Sequence, residues 1–449
     1  MSDPGEQMHA LVRRLHPICR SMTGDGVRRT LEIIAESIPL QVHEVPTGTP
    51  VLDWTVPQEW NIREAYLADR TGRRVVDFAD TPLHVVGYSV PVDATLPMAE
   101  LREHLHTLPD QPDLIPYRTA YYSGTWGFCL SENTLKELQD EEYQVRIDST
   151  LADGHLTYAE HVVPGERAEE VLIVCHTCHP ALANETLAGI AVAVRLARSL
   201  AEIPGGPRYT YRFLFAPGTI GSITWLARNR DRVGLIRHGL VLACAGDPGP
   251  LRYKRSRKGT AAVDRAAGYA LRDREHRGKE HTVVDFTPYG YDERQFCSPG
   301  FNLPVGLLTR SPNEGYPEYH TSADDPDLVT PDALADTLAA VREIVEVLEG
   351  DRTYLNLQPY GEPQLGKRGL YRSPSLGGDT KQHQMAILWI LNYSDGDHSL
   401  LDIAERSAIP FAALVEAARA LTDAGLLAEA PEATGQATDQ PSAPGGEHP

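Results

Sequence analysis

The chain lacks what several broad classes of protein need. No window approaches the ~18 consecutive apolar residues of a membrane-spanning helix, so no membrane partner is expected. The opening MSDPGEQMHALVRRL has neither a long apolar run nor a small-residue cleavage site. Without those marks of a secretory leader, a cytoplasmic location is expected. Positive charge is scarce as well: 42 Lys and Arg stand against 62 Asp and Glu, a formal net charge of -20. Phosphate attraction needs a positive surface, so nucleic acid is not an expected partner. Of six cysteines, only Cys175 and Cys178 form a C-x-x-C pair. A closed four-cysteine zinc site would need a second pair, and free thiols in a reducing compartment are the simpler expectation.

What remains suits a globular chain of 449 residues, 41% of them hydrophobic, in two or three domains. Residues 7–38 predict two helices split by the turn Thr23-Gly24-Asp25-Gly26. Residues 49–150 change character. Aromatics, prolines and short alternating segments (VLDWTVPQEW, LHVVGYSVPV, IPYRTAYYSGTWGFCL) predict a small β-rich unit with one clear helix, LPMAELREHLHTL. The aromatic residues Trp54, Trp60, Tyr121, Tyr122 and Trp126 are expected mainly in its core.

From residue 170 onward the rhythm is strand, loop, helix, which argues an α/β layer fold with a largely parallel sheet. Val171–Cys175 is a continuous apolar run, as in a strand covered on both faces. Further strands are predicted at Tyr209–Phe215, Leu240–Cys244 and Pro304–Leu308, and the last helix at Pro331–Leu348. A Pro/Gly/Ser-rich linker over 351–380, three short helices over 381–430 and a disordered tail over 431–449 complete the plan. The three helices suggest a winged helix-turn-helix. Its predicted recognition segment, PFAALVEAARALTDAG, is not basic. It is therefore expected to serve packing or homo-oligomerisation rather than DNA.

The most informative stretch runs from Cys175 to Gly189, CHTCHPALANETLAG, where a buried strand ends. Ligands in open α/β sheets bind in the crevice at the carboxyl ends of strands. His176 and His179, with Glu185 six residues further on, supply zinc-type donors in one loop. A blander account competes, in which both histidines satisfy loop backbone and Glu185 caps the next helix. A second loop, YPEYHTSADD, adds His320, and Asp247 after the strand LVLAC offers another carboxylate. Chain-distant donors that converge, with one position left open, are what a catalytic zinc site needs. Glu318 is the leading candidate for moving the proton to a leaving amine, with Asp292 and Glu293 behind it. Tyr291 and Arg294 are candidates for binding a substrate carboxylate or an oxyanion. Arg257, in the one dense basic run RYKRSRK, could receive an anionic group, although most such runs are solvated faces.

HTCHPALANETLAG, FLFAPGTIGSITWLARN, YDERQFCSPGFNLP and YPEYHTSADD together resemble a bacterial aminopeptidase-like family, distantly similar to co-catalytic zinc aminopeptidases. The resemblance spans about residues 8–430. It implies a three-layer α/β zinc-aminopeptidase-like (phosphorylase/hydrolase-like) domain built from 1–48 and 151–350, a β-rich insert at 49–150, and a C-terminal winged helix. It implies hydrolysis of an amide in a small-molecule or short peptide-like substrate, within a biosynthetic pathway. Carried over residue by residue, it makes His176 the strand-end donor, with His179 competing. It sets Glu185 where the aminopeptidases have a bridging aspartate, His320 at the late histidine, and Asp292 at an Asp followed four residues later by Phe.

Three departures bear on chemistry. Cys178 replaces an orienting aspartate, and Glu185 is one methylene longer than the usual Asp. The Glu-Glu pair that normally follows the third strand is absent, the region reading Ala216-Pro-Gly-Thr-Ile-Gly-Ser222. One zinc ion is therefore expected in preference to two.

Overall fold

The computed structural model describes residues 3–139, 141–370 and 380–431, and the chain divides into two compact units, 1–349 and 350–449. The first is organised on an eight-stranded mixed sheet. Its strands are β1 (Gln41–Pro46), β2 (His155–Val163), β3 (Glu170–His176), β4 (Thr210–Ala216), β5 (Ile236–Leu242), β6 (Leu251–Lys254), β7 (His281–Val284) and β8 (Val305–Thr309). They lie in the order β1-β2-β4-β3-β5-β8-β6-β7. The inner strands β4, β3, β5 and β8 run parallel, while β2 pairs antiparallel with β4, and β6 antiparallel with β8. The largely parallel sheet expected is found at its centre and again in the edge pair β6–β7, with antiparallel pairings between and beyond them.

β3 is buried along its whole length because each face is covered. Leu172 and Val174 pack in one core with Trp225 and Ile223 of a helix, α2 in a scheme where α1 is Ala188–Ala201 and α2 is Ile220–Arg228. The alternate residue Cys175 points to the other face, its thiol donating to the Gly189 carbonyl of α1 at 3.3 Å. Gly189 is required there: a Cβ would sit 2.3 Å from the Leu242 carbonyl oxygen, so only glycine lets α1 close on β5. The connection β3-α1-β4 runs to one side of β3, and the next, β4-α2-β5, crosses back to the other. That reversal opens a crevice at the carboxyl end of β3.

Between β1 and β2 the chain leaves the sheet. It builds a four-stranded antiparallel sheet in the order Arg74–Asp77, Glu59–Ala68, Glu142–Ala152, Val92–Pro97. The long helix expected after Thr95 is shorter. Met98–Leu101 is helical, a tight 3-10 turn follows, and Leu105–His106 then pairs with Phe128–Cys129. Of the aromatic residues expected in the insert core, Trp60 is buried, but Trp54 and Tyr122 are about half exposed, at 49% and 55%.

The second unit has helices Thr380–Tyr393, Leu400–Ser407 and Phe411–Asp423, and a three-stranded sheet of Asp395–Ser399, Thr353–Asn356 and Leu427–Glu429. Thr353–Asn356 falls in the stretch expected to be linker. It forms the central strand of that sheet because both neighbours pair with it antiparallel. Residues 371–379 of the expected linker and 432–449 of the expected tail lie outside the described residues.

Candidate metal centre and cleft

His176 is the last residue of β3 and is 1% exposed. After a short loop carrying His179, a π-helical turn, Ala183–Leu187, feeds into α1 and carries Glu185 back against both histidines. The two oxygens of Glu185 divide between them: His176 Nε2 lies 3.0 Å from Oε1 and His179 Nδ1 3.0 Å from Oε2. One donor atom from each residue lies within 4.8 Å of the others, and all three side chains are buried. Two imidazoles and a carboxylate are a donor set suited to zinc.

A buried frame holds the turn. Asp324 accepts from the backbone N–H groups of Asn184 at 2.6 Å and Glu185 at 3.1 Å, and from the Tyr316 hydroxyl at 3.2 Å. Burial nevertheless pushes the Asp324 carboxyl up to about 7. Asn184 donates to Asp247 at 2.9 Å, and its carbonyl accepts from the Gly246 and Asp247 N–H groups. The Asp247 carboxylate also receives the Ser311 hydroxyl and N–H. Asp247, expected as a metal donor, is therefore occupied by this frame and stands outside the cluster. Arg20 is fully buried, donating to the backbone carbonyls of His179 at 2.8 Å and Leu15 at 2.6 Å. Burial lowers its guanidinium to about 10.

Burial opposes every charge in this cluster, yet the mutual attraction prevails. Glu185 is held well below the usual carboxylate range by the two imidazoles, and His179 is held well above the ordinary histidine value by Glu185. His176 is raised for the same reason. Such a pairing binds protons where a divalent cation would otherwise sit, so cation and protons compete for the same lone pairs.

His320 comes from the loop after β8. Its ring centre lies 5.3 Å from that of His179, outside the tight trio, and its Nε2 is buried without a hydrogen-bond partner. Burial lowers its pKa to about 4, leaving a neutral imidazole. The backbone at His320 is left-handed, φ 55°, a conformation that costs a non-glycine residue energy and needs support. The insert supplies it. The Tyr117 N–H donates to the His320 carbonyl at 2.8 Å, and Ile115 exchanges hydrogen bonds with Ser322. The Tyr117 ring meets both His179 and His320 edge-on.

The other expected residues are divided. Asp292 is completely buried, with Oδ1 accepting from Ser222 at 2.7 Å and Oδ2 unpartnered; burial raises its carboxyl to about 6. Glu293 is also completely buried, is paired with Lys254 at 2.6 Å and does not line the cleft. Glu318 is absent from the cleft lining. Its backbone carbonyl accepts from Thr321, and among the described residues its carboxylate has no partner. Tyr291 and Arg294 both line the cleft. Arg257 does not: it lies on the exposed surface against Asn302 at 3.0 Å. Two other cations of its basic run are engaged, Lys254 with Glu293 and Arg255 with Asp285.

The missing Glu pair has a structural counterpart. A Cβ at Gly218 would fall 2.2 Å from the Tyr291 ring, so the volume beside this residue is already filled. The Tyr291 hydroxyl lies 3.1 Å from the Gly218 carbonyl and 3.3 Å from the Cys178 sulfur. Tyr291 and Cys178 thus close the side of the cluster from which the usual acidic pair is missing. Sequence reasoning did not single out Asn184, Asp324 or Arg20. The first two sat within recognised motifs; Arg20 gave no signal at all.

The sheet, the strand-end donor cluster and the winged unit define an aminopeptidase-like protein with a C-terminal winged helix. The chain belongs to the family described as a domain of unknown function, DUF4910, which matches residues 9–351, and a winged helix-turn-helix family matches 352–429. It is 49% identical over 426 residues to a protein of Clostridium acetobutylicum named for polysaccharide biosynthesis with an aminopeptidase-like domain, covering 95% of this chain and 97% of that one. A crystal structure described as a peptidase from Clostridium acetobutylicum superposes with TM-score 0.88 at 48% identity, covering 95% of this chain and 96% of the other. BSAP, a zinc aminopeptidase from Bacillus subtilis, shares the fold at TM-score 0.55 and 13% identity, over 76% of this chain and 94% of its own. Among the described residues, no helix is long and apolar enough to cross a membrane.

Proposed function

We propose that this chain is a zinc-dependent amide hydrolase acting on a small aminoacylated or peptide-like metabolite in a biosynthetic pathway. The observation that carries the reading is the buried His176–His179–Glu185 cluster at the end of β3, beside an open cleft. The biosynthetic name of the Clostridium acetobutylicum relative and the zinc aminopeptidase fold of BSAP support it. His176, His179 and Glu185 would hold one zinc ion, and the unpartnered, neutral imidazole of His320 supports it as the chain-distant donor. When bound, zinc supplies a Lewis acid for the amide carbonyl and acidifies water. Asp292, buried with one free oxygen and within electrostatic reach of His176, is the carboxylate available to orient that histidine, whose Nδ1 is also unpartnered. Tyr291 and Arg294 line the space for substrate.

Elemental analysis of protein purified without added metal, combined with a panel of aminoacyl amides, tests this reading. Stoichiometric zinc and turnover in the wild type, both reduced in His320→Ala, are expected. Zinc-replete protein that cleaves no amide in the panel would sink it. A second reading, a metal-binding scaffold without turnover, is favoured by one observation: among the described residues, the cleft lining contains no carboxylate to take the role of the missing Glu pair. Such a protein would hold zinc and bind ligand without hydrolysing it.

A further inference from the structure

The cleft beside the cluster has a volume of about 560 Å³, within the usual span of small-molecule sites. Its lining is unusual for this chain. Five aromatic rings, two guanidiniums, two threonines and two histidines border it, and among the described residues no carboxylate does. Acidic residues outnumber basic ones 62 to 42 in the sequence, so a wall with cations alone selects for negative charge.

Arg118 and Arg294 supply those cations. Both are exposed, and among the described residues neither has a carboxylate partner. A guanidinium left open over a cleft offers a planar fork to an incoming carboxylate or phosphate.

The aromatic residues are the second, independent observation. Trp54 and Tyr122 hold their ring centres 5.8 Å apart at the cleft while each stays about half exposed, at 49% and 55%. Trp54 stands on a two-residue strand paired with Pro50–Val51, and Tyr122 has a left-handed backbone, φ 61°. The fold therefore keeps two large rings wet at the mouth of the cleft when burial would be favourable. Flat rings offered this way stack on the C–H faces of a pyranose, and the hydroxyls of Tyr121, Thr119 and Thr219 are at hand for its hydroxyls. An apolar peptide side chain would use the rings and leave both guanidiniums unanswered.

We propose that this cleft is a subsite for an anionic sugar: the ring stacks on Trp54 and Tyr122, and its carboxylate or phosphate is taken by Arg118 and Arg294. The assignment rests on the hydrolase reading only in naming this sugar as the substrate's recognised half. Calorimetric titration of the full-length, zinc-loaded protein with methyl glucuronide, glucose 1-phosphate, uncharged methyl glucoside and inorganic phosphate tests it. At least one charged sugar should bind about tenfold or more tighter than methyl glucoside, and the better of the two identifies the anion. Arg118→Ala and Arg294→Ala should each remove about tenfold for that ligand and leave methyl glucoside unchanged, while Trp54→Ala should weaken every sugar. Equal binding of charged and neutral sugars, or inorganic phosphate binding as tightly as the charged sugars, overturns the proposal.

Binding is read without turnover, so the two readings can fail separately. A protein that hydrolyses no amide yet binds a charged sugar through both arginines keeps the subsite and loses the hydrolase. Turnover of uncharged aminoacyl amides, without sugar selectivity and indifferent to both arginine substitutions, does the reverse.

Discussion

Replacing Glu185 by Gln keeps its shape and removes the one negative charge within the donor cluster. Each oxygen faces an imidazole nitrogen at 3.0 Å, so no other side chain can restore both contacts. Zinc binding to complete protein sites is worth about 10–16 kcal/mol near neutral pH, which sets the scale for one donor at about 3 kcal/mol at the low end. Loss of that donor weakens Kd about a hundredfold. The linkage follows directly. At free zinc of about 100 times the wild-type Kd, the metal adds about 2.7 kcal/mol of stability to the wild type. The same zinc only matches the variant's Kd, and adds about 0.4 kcal/mol. In a unit of this size that gap is a few degrees of zinc-induced Tm. Competition with a chromogenic chelator gives Kd, and thermal melts in zinc and in EDTA give the linked stability. A Glu185→Gln variant whose Kd stays within about threefold of wild type, with an undiminished zinc-induced rise in Tm, would refute the assignment of this carboxylate.

Three further outcomes are expected. Asp324→Asn should weaken zinc binding about 10- to 100-fold by chelator competition, because an amide cannot accept from both the Asn184 and Glu185 N–H groups through separate oxygens, so the turn loosens while the donors stay in place. Gly218→Ala should cost about 1–3 kcal/mol in urea denaturation through its clash with Tyr291, and less in a Tyr291→Ala background. Arg28 and Asn61 hold Glu59 down to about 2 against burial, from an ordinary 4.5. Its contribution, about 1 kcal/mol, is present above pH 4.5 and fades as pH falls toward 2. Wild type and Glu59→Gln should therefore differ in urea midpoint at pH 7 and converge on acidification.

Much of the centre was legible because its chemistry is local. β3 reads as one apolar run, and the donors His176, His179 and Glu185 lie within ten residues, so a strand end and a turn suffice to gather them. The edges of the sheet were not legible, since antiparallel partners such as β2 and β6 reveal themselves only by pairing across long sequence distances. Charge roles failed for a related reason. Asp247 and Glu293 look like free carboxylates in sequence, but Asn184 and Lys254, which occupy them, are 63 and 39 residues away. The misplacement of Trp54 and Tyr122 in the core is instructive: hydrophobic character alone does not tell a packed ring from one displayed to solvent.

The attachment of the insert to the His320 loop is made through main-chain amides and carbonyls at Ile115 and Tyr117, together with the hydroxyl of Ser322. On the insert side the seam's hydrogen bonds come from the backbone, apart from the Gln111 side-chain amide, which donates to the Pro317 carbonyl at 2.8 Å. Substitutions at residues 118–122 would change the cleft wall while the splint under His320 persists. Changes there alter the cleft wall as one short cassette and leave the His176–His179–Glu185 cluster, encoded elsewhere in the chain, untouched.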